Sequence, residues 1–228
     1  MKLGILGGSF NPIHLGHLFL ADNAFCHLGL DRLVFIPACY SPFKVESQSV
    51  LYGKNAHSTS NDRLDMLAAA IEGDNRFAID NCEIKREGVS YTIDTLDDII
   101  SRYMPSEKPY LIIGDDLAAD FPKWRESERI LQLAHIVIAR RENAKINVSY
   151  PYMTIENDVM TASSKSVRQL IEQGGSWRSL VPAGVRAIIE DRGLYGYTKQ
   201  GKAETSEAEH EQKVTQADIL RIEAVVRK

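Results

Sequence analysis

Near its amino end the chain reads Lys2-Leu-Gly-Ile-Leu6, then Gly7-Gly-Ser-Phe-Asn-Pro-Ile-His-Leu-Gly-His17, then Leu18-Phe-Leu-Ala21. The apolar run 3–6 is short, broken by one glycine and bounded by turn residues, as suits the first buried strand of a parallel sheet. Gly7 and Gly8 allow a sharp turn and a close approach to a ligand, and Asn11 followed by Pro12 predicts a cap with proline in the first helical turn. Strand, glycine turn and helix start, in that order, make a place for a phosphate chain. The N–H groups at a helix start carry about half a positive charge before any side chain is counted.

His14 and His17 are three residues apart, so in a helix beginning near Ile13 they share one face of the first turn and both imidazoles can donate to the same phosphates. A lone His-x-x-His is more often a packed or surface pair; the glycine turn before it reverses that weighting. Zinc is the rival chemistry, but the spacing lacks the glutamate and the i,i+4 geometry of the zinc protease helix, and no cysteine cluster completes a ligand set. No metal ligands are therefore assigned. The stretch is neither Gly-x-Gly-x-x-Gly nor Gly-x-x-x-x-Gly-Lys-Ser/Thr, which sets aside the dinucleotide and P-loop fingerprints.

With 228 residues, 44% of them hydrophobic, the chain can build one substantial core. We expect one domain over residues 1–197 and a polar tail over 198–228, where a short helical stripe at Ile219, Ile222, Val225 and Val226 follows a charged stretch free of aromatics. A formal charge of −4 argues against broad nucleic-acid binding and suits small anionic substrates. Cys26, Cys39 and Cys82 are scattered, with no Cys-x-x-Cys pair, which fits a reducing cytosol and hence a cytoplasmic protein. No secretory signal and no membrane-length apolar run is visible. The pattern is compatible with an oligomer as well as a monomer.

The rest of the chain alternates. Apolar residues at helical spacing from Leu15 to Leu28, with Gly29 as a stop, precede a second strand at Arg32-Leu-Val-Phe-Ile-Pro37, giving a β-α-β opening. A long polar connection holds Ser41-Pro-Phe-Lys44. Residues 61–71 predict a second helix and 77–80 a short strand, with strand character also at 82–84. Glu87-Gly-Val-Ser-Tyr-Thr-Ile-Asp-Thr95 is a glycine turn with a hydroxyl-rich cap leading into an apolar helical face, a second helix start suited to an anion. Tyr110-Leu-Ile-Ile-Gly-Asp-Asp116 is a buried strand running into carboxylates, where ligands of open α/β sheets bind, and Phe121-Pro-Lys-Trp124 follows in a helical region. Residues 135–140 predict another buried strand ending at Arg140 and Arg141, and 152–155 a short one. Ala162-Ser-Ser-Lys-Ser-Val-Arg168 opens a helix whose hydroxyls and arginine can clamp an anion, and 181–195 predict a closing helix.

The first stretch resembles the Gly-Gly-Thr-Phe-Asp-Pro-x-His-x-Gly-His signature of the nucleotidylyltransferase superfamily, with Ser9 for threonine and Asn11 for aspartate. Ser90-Tyr-Thr-Ile-Asp-Thr-Leu96 is similar to the Ser-Tyr-Thr-x-Asp-Thr-Leu motif of nicotinate-nucleotide adenylyltransferases. Gly114, Asp116, Phe121 and Trp124 resemble that family's Ile-Gly-x-Asp-x-Leu-x-x-Phe-x-x-Trp, and 162–168 its Ile-Ser-Ser-Thr-x-Ile-Arg, with Lys165 for threonine. Phe43 stands where relatives carry a histidine. The resemblance spans residues 1–197. It implies a Rossmann-like three-layer α/β domain, a mainly parallel sheet with helices on both faces, that transfers AMP from ATP to nicotinate mononucleotide with Mg²⁺ carried on the phosphates. It also implies that His14, His17, Lys44 and Arg168 act on the phosphates. ATP would further meet Gly7, Gly8, Ser9 and Phe10 of the turn, Gly114 and Asp116, and Ser163 and Ser164. The nicotinate nucleotide would meet Ser9, Lys44, Ser90, Tyr91, Thr92, Thr95, Asp115 and Trp124. A sister transferase using nicotinamide mononucleotide or phosphopantetheine, and a nucleotide-binding regulator without turnover, are the alternatives.

Overall fold

The computed structural model describes residues 1–40, 58–140, 146–155 and 162–198. Its frame is six strands: β1 (Leu3–Gly8), β2 (Arg32–Pro37), β3 (Phe77–Ile79), β4 (Tyr110–Gly114), β5 (His135–Ala139) and β6 (Met153–Ile155). They lie in the order β3-β2-β1-β4-β5-β6, every pair parallel. Central β1 sets Ile5 against Val34 on one side and Leu111 on the other. The chain winds outward from β1 through β2 and β3, then restarts at β4 and winds the other way. That reversal puts a crevice beyond the carboxyl ends of β1 and β4, the usual ligand position in such sheets.

Strands buried on both faces need two helical layers. On one face Leu6, Phe35, Ile112 and Val137 pack with α1 (Leu15–Leu28), α2 (Ser60–Ala70), α7 (Ser164–Glu172) and α8 (Ala183–Arg192). On the other, Leu3, Ile5, Val34, Leu111 and Ile138 pack with α3 (Cys82–Arg86), α4 (Thr92–Tyr103), α5 (Asp115–Ala118) and α6 (Ser127–Leu133). Side chains of successive strand residues thus divide between two cores, as the two-residue repeat requires. The expected Rossmann-like three-layer α/β domain, a parallel sheet with helices on both faces, holds. No described helix is long and apolar enough to cross a membrane.

Two local expectations change. Residues 82–84 are the start of α3, not a strand, because the Asp80 carboxylate accepts the Cys82 N–H at 3.0 Å and turns the chain as β3 ends. Lys85 and Arg86 then suit the helix's negative end. Likewise α1 starts at Leu15 with His14 as its cap, not near Ile13 with Asn11 as cap. The Asn11 side-chain oxygen is taken by the hydroxyls of Ser58 (2.6 Å) and Tyr195 (2.7 Å), and the Asn11–Pro12 peptide is cis.

Candidate active site

Gly7 and Gly8 turn out to be the last two residues of β1, paired with Ile36 and Pro37, and the turn itself falls at Phe10, with φ +46°. Gly8 is needed for space: a Cβ there would stand 2.9 Å from the Phe10 ring. That ring is buried and meets His17 edge-on at 5.1 Å. His14, 2% exposed, lies with its ring centroid 3.7 Å from that of His17. The His14 N–H donates to His17 Nδ1 at 3.3 Å. An Nδ1 that accepts leaves the proton of a neutral His17 ring on Nε2, fixing which nitrogen can donate. Gly16 makes room for the pair, since a Cβ there would come 3.0 Å from His14 Nδ1 and 3.3 Å from the Ala162 carbonyl.

The loop between β1 and α1 is held from a distance. Ser164 donates to the Pro12 carbonyl at 2.9 Å, and Arg168 donates to the Asn11 carbonyl at 2.5 Å. From below, Arg63 of α2, 0% exposed, gives one guanidinium nitrogen to the carbonyls of Ser9 (2.9 Å) and Ala38 (2.7 Å) and the other to Ser60 (3.1 Å). A buried cation needs such acceptors to offset its lost hydration. It pins the loops after β1 and β2 together. Ser163 caps α7 by accepting the Ser166 N–H at 3.1 Å, and the Ser163 N–H is returned to Ser166 Oγ at 3.0 Å.

Across the crevice, α4 begins with Tyr91 as a cap that makes no side-chain hydrogen bond and Thr92 as its first residue. Arg125 lies 4.8 Å over the Tyr91 ring and 3.6 Å from Asp94. The hydroxyls of Ser90 and Thr95 turn inward: Ser90 accepts the Cys39 N–H at 2.9 Å, and Thr95 donates to Glu83 at 2.6 Å. Burial pushes the Glu83 carboxyl above its ordinary range, with the hydrogen bonds from Thr95 and Ser90 pulling the other way. After β4, Gly114 caps α5, Asp115 is buried and Asp116 exposed. Half-buried Trp124 lies 5.3 Å from the Phe121 ring, which in turn meets Tyr150 at 4.6 Å.

With this geometry in hand, the likenesses to known proteins are specific. Residues 5–170 match the cytidylyltransferase-like family. A protein of Borrelia garinii subsp. bavariensis named "probable nicotinate-nucleotide adenylyltransferase" is 35% identical over 196 residues, 86% of this chain and 95% of its own. Proteins of the same name from Geobacillus kaustophilus and Streptococcus mutans are 36% and 37% identical over 195 and 194 residues, covering 86% and 85% of this chain and 86% and 88% of their own. The chain belongs to the nicotinate-nucleotide adenylyltransferase family. Its fold is shared with Plasmodium falciparum nicotinic acid mononucleotide adenylyltransferase, in a complex with NaAD (TM-score 0.69, 17% identity) and in one with APC (0.68, 16%), each covering 86% of this chain and 98% of the other.

Within this adenylyltransferase fold the structure brings His14, His17, Phe10, Ser164 and Arg168 together around the loop after β1. Tyr91 and Thr92 stand at the start of α4, and Asp115 and Asp116 at the end of β4. Lys44, with Phe43 beside it, lies outside the described residues, as do Arg141 and the stripe 219–226. The sequence reading missed Arg63, Tyr195 and Glu83. For Arg63 a signal existed: it sits three and four residues before Met66 and Leu67, on the apolar stripe of α2, where a charge is out of place unless it is paired.

Proposed function

We propose that this chain joins nicotinate mononucleotide to the AMP part of ATP, giving nicotinate adenine dinucleotide (deamido-NAD) and pyrophosphate in NAD biosynthesis. Residues 1–197 are the catalytic domain, 198–228 a polar tail, and the cytoplasm the place of action; neither nucleic acid nor a membrane is a partner. The observation that carries the reading is the His14–His17 pair, 3.7 Å between ring centroids at the carboxyl end of the central strand, beneath the start of α7. Family membership and the crevice at the strand reversal support it.

The acceptor's 5′-phosphate oxygen attacks the α-phosphorus of ATP, one P–O bond forms, and the bond to the bridging oxygen of pyrophosphate breaks. That nucleophile is already mostly ionised near neutral pH, because its second pKa is about 6, so no strong general base is needed. The protein aligns two anions and stabilises charge with fixed donors. His17 serves the α-phosphate, His14 the rest of the chain, and Lys44 and Arg168 the remaining negative charge. Ser9 and the backbone of Gly7, Gly8 and Phe10 lie along the triphosphate, with Gly114, Asp116, Ser163 and Ser164 on its nucleoside side. Mg²⁺ would be carried on phosphate oxygens and water, its usual ligands in such sites, and would supply neutralisation of charge on the leaving oxygens.

The ring carboxylate is received by backbone N–H groups at Tyr91 and Thr92, where the dipole of α4 favours a negative charge. Asp115 and Trp124 flank the same nucleotide. An amide in that place brings no charge and must find an acceptor for its NH₂, a cost of about 1 to 3 kcal/mol when none is present. Incubation with ATP and Mg²⁺ and either mononucleotide, assayed for pyrophosphate and dinucleotide, tests this. The expected kcat/KM favours the acid by at least about tenfold. Equal values would overturn the acid pocket; no pyrophosphate from either would overturn adenylyl transfer.

A further inference from the structure

We infer that Glu83 is a positioning residue for the acceptor half of the site, setting the preference for an acid ring through Thr95. The inference rests on the reading of the Tyr91 and Thr92 N–H groups as the acid's receptors.

Its basis is the direction of the hydrogen bonds around one buried carboxyl group. Glu83, on α3, is 8% exposed. Thr95 Oγ1 donates to its Oε1 at 2.6 Å, and Arg86 donates into the same Thr95 oxygen at 2.9 Å. Ser90 Oγ accepts the Cys39 N–H at 2.9 Å, and the Ser90 N–H donates to the Tyr40 carbonyl at 2.8 Å. Residue 90 is therefore held twice by the stretch after β2, and residue 95 by Glu83 of α3. Tyr91 and Thr92 lie between the two, so their N–H groups point where this cluster sends them.

The chemistry of the hub matters as much as its place. A guanidinium only donates, so Thr95 Oγ1 accepts from Arg86 and has its one proton to give to Glu83. Glutamine at 83 has the same shape but puts an NH₂ where the carboxyl group has an oxygen, and that NH₂ needs an acceptor of its own. Thr95 thus acts on the ring at one remove, by aiming backbone donors.

The test is steady-state kinetics of the full chain with nicotinate and nicotinamide mononucleotides, for the parent, Glu83→Gln, Thr95→Val and Asp80→Asn. Asp80 is a second buried carboxylate, bound to Arg102 and Tyr103 at the far end of α4, and serves as the control for loss of stability alone. Glu83→Gln is expected to raise KM for the acid about tenfold and lower the acid-to-amide ratio by a similar factor, the scale of one mispaired buried group. KM for ATP should stay within about twofold. Thr95→Val, which removes the same bond from the other side, should move the ratio in the same direction. Asp80→Asn should lower Tm and leave the ratio alone. If Glu83→Gln and Thr95→Val keep the parental ratio, Glu83 only stabilises the fold and the inference fails. A parent that never preferred the acid removes the pocket reading itself, a separate result read before any variant.

Discussion

On the side proposed for the phosphates, the loop after β1 is tied by residues far along the chain: Ser164, Arg168 and Tyr195 reach Pro12 and Asn11 across 152, 157 and 184 residues. On the side proposed for the acceptor the ties are shorter, Cys39 to Ser90 across 51 residues and Thr95 to Glu83 across 12. In the function proposed above, the first half offers side chains to its ligand, two imidazoles among them, while the second turns the hydroxyls of Ser90 and Thr95 inward and offers backbone to the ring carboxylate. Substitution would therefore strike the phosphate half directly, whereas the place of the ring carboxylate would be reached through what supports it.

The largest effect expected from this contrast is at His17. His17→Ala should leave the domain folded, with turnover at saturating substrate down by at least about a hundredfold, the scale of losing one fixed charge-stabilising donor. It also removes the acceptor of the His14 backbone N–H, one half of the cap of α1. Near-parental turnover in a well-folded His17→Ala variant would take the histidine pair out of the phosphate site.

That pair was legible in the sequence, and so was the sheet: strands at 32–37 and 135–139 and helix α1 fall where apolar spacing and Gly29 place them. These features are local, and periodicity reports local structure well. The start of α1 was misread because the role of Asn11 is decided by Ser58 and Tyr195, partners that no local pattern can point to. The same limit hid the inward turn of Ser90 and Thr95. A hydroxyl at a helix start reads alike whether it faces a ligand or a buried carboxyl group. Arg63 shows the opposite case, a charge on an apolar stripe that announces a buried partner without naming it.

Next in size is Arg168→Lys, which tests whether the long ties matter for chemistry. The guanidinium already spends a donor on the Asn11 carbonyl, and a planar fork can hold that carbonyl while presenting its other edge to an anion. A single ammonium cannot match both directions. Turnover should fall about tenfold, the cost of one hydrogen bond to a charged group, with a weaker response to ATP. Parental kinetics with unchanged ATP dependence would show that Arg168 neither positions the loop nor meets phosphate.

The smallest effect sharpens the contrast at the two ends of α4, where two buried carboxyl groups respond to pH in opposite senses. At Asp80, burial alone would raise the pKa, but Arg102, Tyr103 and the Cys82 N–H outweigh it and hold the carboxyl below its ordinary value. A group whose folded pKa lies below its unfolded value of about 3.9 contributes stability that is present above that value and lost as pH falls through the folded one. At Glu83 burial wins and the folded pKa lies above the unfolded one. Its contribution has the reverse sign, favouring the fold at low pH and fading as pH rises through the folded value. Arg102 is 45% exposed, so screening keeps the Asp80 contribution modest. Thermal unfolding from about pH 3 to 7 separates the two. Asp80→Asn should melt a few degrees below the parent at neutral pH, on the order of 1 to 2 kcal/mol in a chain this size, and the gap should close in acid. Glu83→Gln, which cannot ionise, should compare worst with the parent in acid and improve relative to it as pH rises. If the gap between Asp80→Asn and the parent stayed constant down to the lowest pH, Asp80 would not be ionised against Arg102 in the fold, and the two ends of α4 would not differ in the way their hydrogen bonds require.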